Sequence, residues 1–254
     1  DSTGYNNTSG RYNVFLGASA GLSNGSGSYN LFSGHLAGFS NTSGTHNILL
    51  GYHSGASNTE GRNNIFIGNQ SGYYNQDGDY NTYIGYQSGA FGGYGATDPS
   101  YNTYIGYMTG WNNRSGESNI FVGFQAGHSG ATASGSNNVF MGNFAGFSNI
   151  SGHNNLFMGN NSGQDNTIGN DNVFMGTDAG AANTEGSTNV FVGFQSGLSN
   201  TTGIRNVFIG EDAGKNNIAG YNNVFIGNNA GYNNAGDGGL WNGTYNVFIG
   251  TNAG

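Results

Sequence analysis

An apolar triplet framed by asparagine and glycine recurs from one end of this chain to the other. The first is Val14-Phe15-Leu16, between Asn13 and Gly17, and the last is Val247-Phe248-Ile249, between Asn246 and Gly250. Between triplets the sequence is polar and turn-forming, with Ala-Gly or Ser-Gly following a few residues on. The glycine closing each triplet falls at 17, 34, 51, 68, 85, 106, 123, 142, 159, 176, 193, 210, 227 and 250. Ten of the thirteen steps are 17 residues, and the others are 21, 19 and 23. A fixed short period marks stacked coils, each too small to bury its apolar face alone. A 17-residue step suits two short strands and two turns, and is too short for a strand plus a full helix. The pattern predicts an all-β fold, a parallel β-solenoid (β-roll) of about fourteen coils forming one array over 1–254. Residues 1–12 make a partial repeat and the coils run from 13 to 254.

Asn206 to Asn222 serves as the type repeat. Its β-branched and aromatic triplet reads as a very short strand, with Asn and Gly supplying the corners. The stretch around Ala213 is expected to form a second short strand facing the first. Alternation places Val207 and Ile209 on one face and Phe208 on the other. A strand apolar on both faces calls for burial on both. The preferred reading fills the coil with the aliphatics and turns the aromatic column outward. That column is Phe15, Phe32, Phe66, Tyr83, Tyr104, Phe121, Phe140, Phe157, Phe174, Phe191, Phe208, Phe225 and Phe248, with Leu49 completing it. Burying each such side chain is worth roughly 1.5–3 kcal/mol, so the column is expected to drive self-association. The alternative points the rings inward, with the aliphatics flanking them in a wider coil. Asn41, Asn58 and Asn75, and Asn149, Asn166, Asn183 and Asn200, recur at one phase and are expected to form amide ladders at a coil corner.

Composition narrows the function classes. Glycine is 50 of 254 residues without a Gly-X-Y period, which excludes collagen. The even spacing of the triplets argues against disorder. Charged residues are only 7 % of the chain and the net charge is −8. Arg11, Arg62, Arg114, Arg205 and Lys215 are scattered, so no basic stripe exists to neutralise phosphates and nucleic acid is not an expected partner. No apolar run reaches the length of a membrane span, so no membrane insertion is expected. Cysteine is absent, which excludes disulfide staples and thiolate metal sites. No signal-peptide pattern opens the sequence, so any export signal is expected to be removed or to lie outside it. Asp1-Ser2-Thr3-Gly4 and Thr251-Asn252-Ala253-Gly254 share one repeat phase, and a segment of a longer fibre is expected from that coincidence.

Candidate chemistry is sparse. His35, His46, His53, His128 and His153 fall at different phases and form no motif. Asp77-Gly78-Asp79, and Asp165 with Asp171, match calcium loops only in part. No metal, cofactor or catalytic site is expected, and the chain does not read as an enzyme. Asn41-Thr42-Ser43 and Asn200-Thr201-Thr202 match the glycosylation pattern, which this composition produces readily. The three long steps add residues between the Ala-Gly corner and the next strand, at 90–101, 128–137 and 232–245. Insertions on one corner are where repeat proteins place contacts. Phe91, Tyr94 and Tyr101 lie in the first, and Leu240, Trp241 and Tyr245 in the last, so Phe91, Tyr94, Trp241 and Tyr245 are candidate contact residues.

Asn222-Asn223-Val224-Phe225-Ile226-Gly227, followed by a small residue and glycine, resembles the head repeats of YadA-like trimeric autotransporter adhesins. Gly85-Tyr86-Gln87-Ser88-Gly89, with Asn102-Thr103-Tyr104-Ile105-Gly106, is similar to the repeat arrays of bacterial and phage tail-fibre-type proteins. The resemblance spans the whole chain and implies a left-handed β-roll in a threefold bundle, acting in surface attachment or fibre extension. The 17-residue period departs from the shorter one of YadA heads. The expected function is therefore a structural extracellular, cell-surface or virion fibre or adhesin shaft, homo-oligomeric and most simply trimeric, or a continuous filament. A module that binds a glycan or cell-surface receptor through its loops is the second reading. An ice-binding solenoid is the third, although pairs such as His35-Leu36 and Glu211-Asp212 are too irregular for an ice-binding ladder.

Overall fold

Each apolar triplet forms one three-residue strand, and successive strands pair in parallel with a shift of one repeat. The computed structural model describes residues 2–95, 98–130, 133–234 and 243–254. The chain divides into two compact units, Asp1–Ser134 and Gly135–Gly254. The first contains β1 (Val14–Leu16), β2 (Leu31–Ser33), β3 (Ile48–Leu50), β4 (Ile65–Ile67), β5 (Thr82–Ile84), β6 (Thr103–Ile105) and β7 (Ile120–Val122). The second contains β8 (Val139–Met141), β9 (Leu156–Met158), β10 (Val173–Met175), β11 (Val190–Val192), β12 (Val207–Ile209), β13 (Val224–Ile226) and β14 (Val247–Ile249). Each unit is thus a parallel β-solenoid of seven coils, without helix among the described residues.

Register is set by the repeat. Phe174 lies opposite Phe157 on one side and Phe191 on the other. The first and last long steps do not disturb it: Tyr83 pairs with Tyr104 and Phe225 with Phe248.

The aromatic column is inside the coil, which corrects the preferred expectation. Phe32, Phe66, Tyr83, Tyr104, Phe140, Phe157, Phe174, Phe191, Phe208 and Phe225 are fully buried, Leu49 with them, and Phe121 nearly so. Phe15 and Phe248 are partly exposed, each having a neighbouring coil on one side only. In the second unit the rings run Phe140 to Phe248 with centroids 4.7–5.0 Å apart. This is offset stacking imposed by the strand spacing. The physical reason for the inward turn lies on the far wall. At Gly197 (φ 60°) a Cβ would lie 2.5 Å from the Phe191 ring. The bare Ala-Gly or Ser-Gly wall leaves room for one ring per coil, a volume that valine and isoleucine would not fill.

Among the described residues no second strand faces the first. The residues after each strand glycine turn instead, with Ala213 N–H donating to the Gly210 carbonyl at 3.3 Å and Asp212 in the left-handed region at φ 55°. The residue on that wall is Ala or Ser, and Thr109 in one coil, for a reason. Ser196 Oγ donates to the Phe208 carbonyl at 3.0 Å, so its hydroxyl is satisfied within the core.

Two buried amide columns brace the coils. At the expected corner, Asn166 Nδ2 donates to Asn149 Oδ1, Asn183 to Asn166 and Asn200 to Asn183, each at 2.8 Å. A second column is formed by the asparagine preceding each strand. Asn172 N–H donates to Asn155 Oδ1 at 3.0 Å, while Asn172 Nδ2 reaches the Gly186 carbonyl at 2.8 Å. An amide both donates and accepts, so each rung satisfies buried backbone and passes the pattern to the next coil.

Candidate functional site

With the ring turned inward, the first and third residues of every triplet face outward. In the first unit Leu31 and Ile48 are 36 % exposed and Ile120 43 %. In the second, Met141 and Ile209 are 39 % exposed and Ile226 36 %. Each unit therefore presents two parallel columns of aliphatic side chains, repeating at the strand spacing of about 4.8 Å. Ser33, Thr82 and Thr103 interrupt the columns in the first unit.

Rings flank these columns in the first unit. Tyr12, Tyr29 and His46 stack at 4.9 and 4.8 Å, and Tyr80 stacks on Tyr101 at 5.3 Å. On the other flank Tyr86, Tyr107 and Phe124 stack at 5.2 and 5.1 Å. Stacking runs from coil to coil, so each ring covers its neighbour's face and turns its edge to solvent. In the second unit the same phases carry mostly Asn, Asp and Thr, such as Asn154, Asp171, Asn160 and Thr177.

The first long step feeds an aromatic cluster. Tyr94 packs on Tyr74 at 4.7 Å, Phe91 meets the Trp111 edge at 4.5 Å, and the Arg114 guanidinium lies 5.3 Å from the Tyr94 ring centre. The second step adds His128, flat against Trp111 at 5.0 Å. Phe91 and Tyr94 are thus brought together, while Tyr101 belongs to the flanking stack with Tyr80. Tyr245, in the other unit, is exposed and meets Tyr221 edge-on at 5.4 Å. Leu240 and Trp241 lie outside the described residues.

The polar candidates serve mainly as joints between coils. Asp77 Oδ1 accepts from the Thr59 hydroxyl and Asp79 Oδ1 from the Arg62 N–H at 2.6 Å. Among the described residues no three His, Cys, Asp or Glu side chains gather as metal ligands. Desolvation, with His35 nearby, holds His53 below the ordinary histidine pKa, and desolvation does the same for His128. Asn41 and Asn200, the asparagines of the two glycosylation patterns, are fully buried in the corner ladder, so neither amide is accessible in the folded coil.

Comparison with protein-family models, curated proteins and solved structures returns no match to this chain. The sequence reading placed the contact surface on the aromatic column, and the structure places the exposed apolar surface on the aliphatic columns instead. One signal pointed there: Ser33, Thr82 and Thr103 all fall at the first or third position of a triplet, and no polar residue without a ring falls at the second.

Proposed function

We propose that the chain is a structural segment of an extracellular fibre or adhesin shaft, and that its copies associate through the outward faces of their strands, most simply as a trimer. The observation that carries this reading is the pair of uncovered aliphatic columns in each unit. A contiguous apolar surface of this regularity marks an interaction site. Its side chains are about one-third exposed, so covering one contributes roughly 0.5–1 kcal/mol, a third of the value for full burial. Summed over the seven coils, two such side chains in each coil of the second unit and in most of the first come to several kcal/mol per unit, before the cost of association. A surface that repeats once per coil is met row for row by another surface with the same axial period, and a second copy of this chain supplies one.

Sedimentation of the chain tests the reading. The wild-type protein is expected to run as an oligomer. The double variant Val207→Asp, Ile209→Asp places two carboxylates in the contact and is expected to run as a monomer with its β circular dichroism retained. A monomeric wild type, or an oligomer indifferent to both carboxylates, would overturn it.

A further inference from the structure

Across the coil from the outward strand face, beyond the Ala-Gly wall, the first unit carries two clefts that share one side chain. Phe39, Ala56 and Tyr73 occupy the same phase of three successive coils, and so do Tyr73, Ala90 and Trp111. Where rings occupy adjacent coils they stack and close the surface. Where alanine replaces the middle ring, the flanking rings stand two coils apart, about 10 Å at the usual strand spacing. The first gap is a cleft of about 330 Å³ lined by Phe39, His53, Ala56, Ser57 and Tyr73 among others. The second is a cleft of about 270 Å³ lined by Gln70, Tyr73, Tyr74, Gln87, Ala90 and Phe91. Both lie near the lower bound of small-ligand sites.

We propose that these clefts are consecutive subsites for a neutral oligosaccharide lying along the direction of coil stacking, one sugar ring entering each gap in the aromatic column. A pyranose ring has roughly the thickness of an aromatic ring and fits the space over each alanine, beside His53 in the first cleft and beside Phe91 in the second. In the first cleft its C–H face meets Phe39 and the His53 ring, which itself lies against Tyr73 at 5.5 Å. In the second it meets Tyr73 and Phe91, the ring that packs on Trp111. Its hydroxyls meet the neutral polar rim. Gln87 Nε2 donates to Gln70 Oε1 at 2.6 Å, which fixes both amides and leaves Gln70 Nε2 and Gln87 Oε1 for hydroxyls. No Asp, Glu, Lys or Arg lines either cleft, so nothing there compensates a charged ligand. His53 keeps to the neutral form near pH 7, since its pKa is lowered by burial. The two-coil offset between gaps matches the scale of a disaccharide step, which suits a chain of sugars better than a single residue. No residue of the aliphatic columns lines either cleft, so sugar binding and self-association use different side chains.

Isothermal titration of the full chain with cello-, chito-, manno- and maltotetraose, and with an acidic sialyl-oligosaccharide, tests it. At least one neutral tetrasaccharide is expected to bind, and the acidic one is not. Ala56→Phe restores the missing ring and is expected to weaken binding about tenfold or more, a loss of about 1.4 kcal/mol. Gln70→Ala with Gln87→Ala removes only the polar rim, leaves the column intact, and is expected to weaken binding as well. No binding by any neutral tetrasaccharide at millimolar concentration would overturn the proposal. So would binding that both variants leave unchanged, or equal binding of the acidic sugar.

Discussion

The residue that decides this architecture is the one with no side chain. Gly197 and its counterparts give up a Cβ so that a ring can fill the coil, and they sit in the left-handed region where that absence costs least. Gly197→Ala drives a methyl to within 2.5 Å of the Phe191 ring at φ 60°. Overpacking and left-handed strain together are expected to cost about 2–4 kcal/mol. Gly25→Ala is the contrast. Its Cβ would meet only the Thr42 carbonyl oxygen, at 3.4 Å, and the expected change is within about 0.5 kcal/mol. Denaturant midpoints of the two variants check the difference. The same scale explains why the direction of the rings was not legible in the sequence. Alternation fixes that Phe208 opposes Val207 and Ile209, yet it does not say which face is inside. The deciding quantity is the free volume against Ala213 and Gly214, which depends on how the turn closes.

At the scale of the coil, the sequence was more informative. The triplets, their period and the parallel register all follow from residues 13–254. The corner ladder through Asn166, Asn183 and Asn200 was legible because its phase recurs without interruption. The second amide column was harder to see, since the asparagine before each strand also reads as an ordinary turn residue. The expected second strand failed because Gly-x-x-Ala closes a turn through a left-handed residue such as Asp212. The amide columns make a direct prediction. Asn183→Ala takes one of two acceptors from Asn200 Nδ2, which keeps the Gly203 carbonyl, and removes the Asn183 donor to Asn166 Oδ1 and the Gly186 carbonyl in a dry corner, at a cost of about 1–3 kcal/mol. Asn216→Ala removes an exposed amide contact with Asn233 and is expected to be nearly neutral. Thermal unfolding of both variants, read by circular dichroism, separates a buried rung from an exposed one.

At the scale of the whole molecule, the two units differ in their titration. Desolvation holds His53 and His128 below 6.5, and both lie in the first unit. A histidine with a lowered folded pKa takes its proton later than in the unfolded chain. Its stabilising contribution is complete above 6.5 and is lost as pH falls from there toward the folded value. Melting the protein between about pH 7.5 and pH 5.5, above the carboxylate range, is expected to lower the stability of the first unit. A His53→Gln, His128→Gln variant is expected to flatten that dependence, and an unchanged slope would refute the assignment.

Self-association through the aliphatic columns is the claim on which the functional reading stands, and the absence of cysteine makes it directly measurable. A single nitroxide label attached at Ile209→Cys sits on the proposed contact, whereas one at Lys215→Cys sits beyond the Ala-Gly wall. The account predicts strong spin–spin broadening from the first label, relieved by dilution with unlabelled chain, and little from the second. Sharp, unbroadened spectra from the Ile209 label in the wild-type background would contradict it.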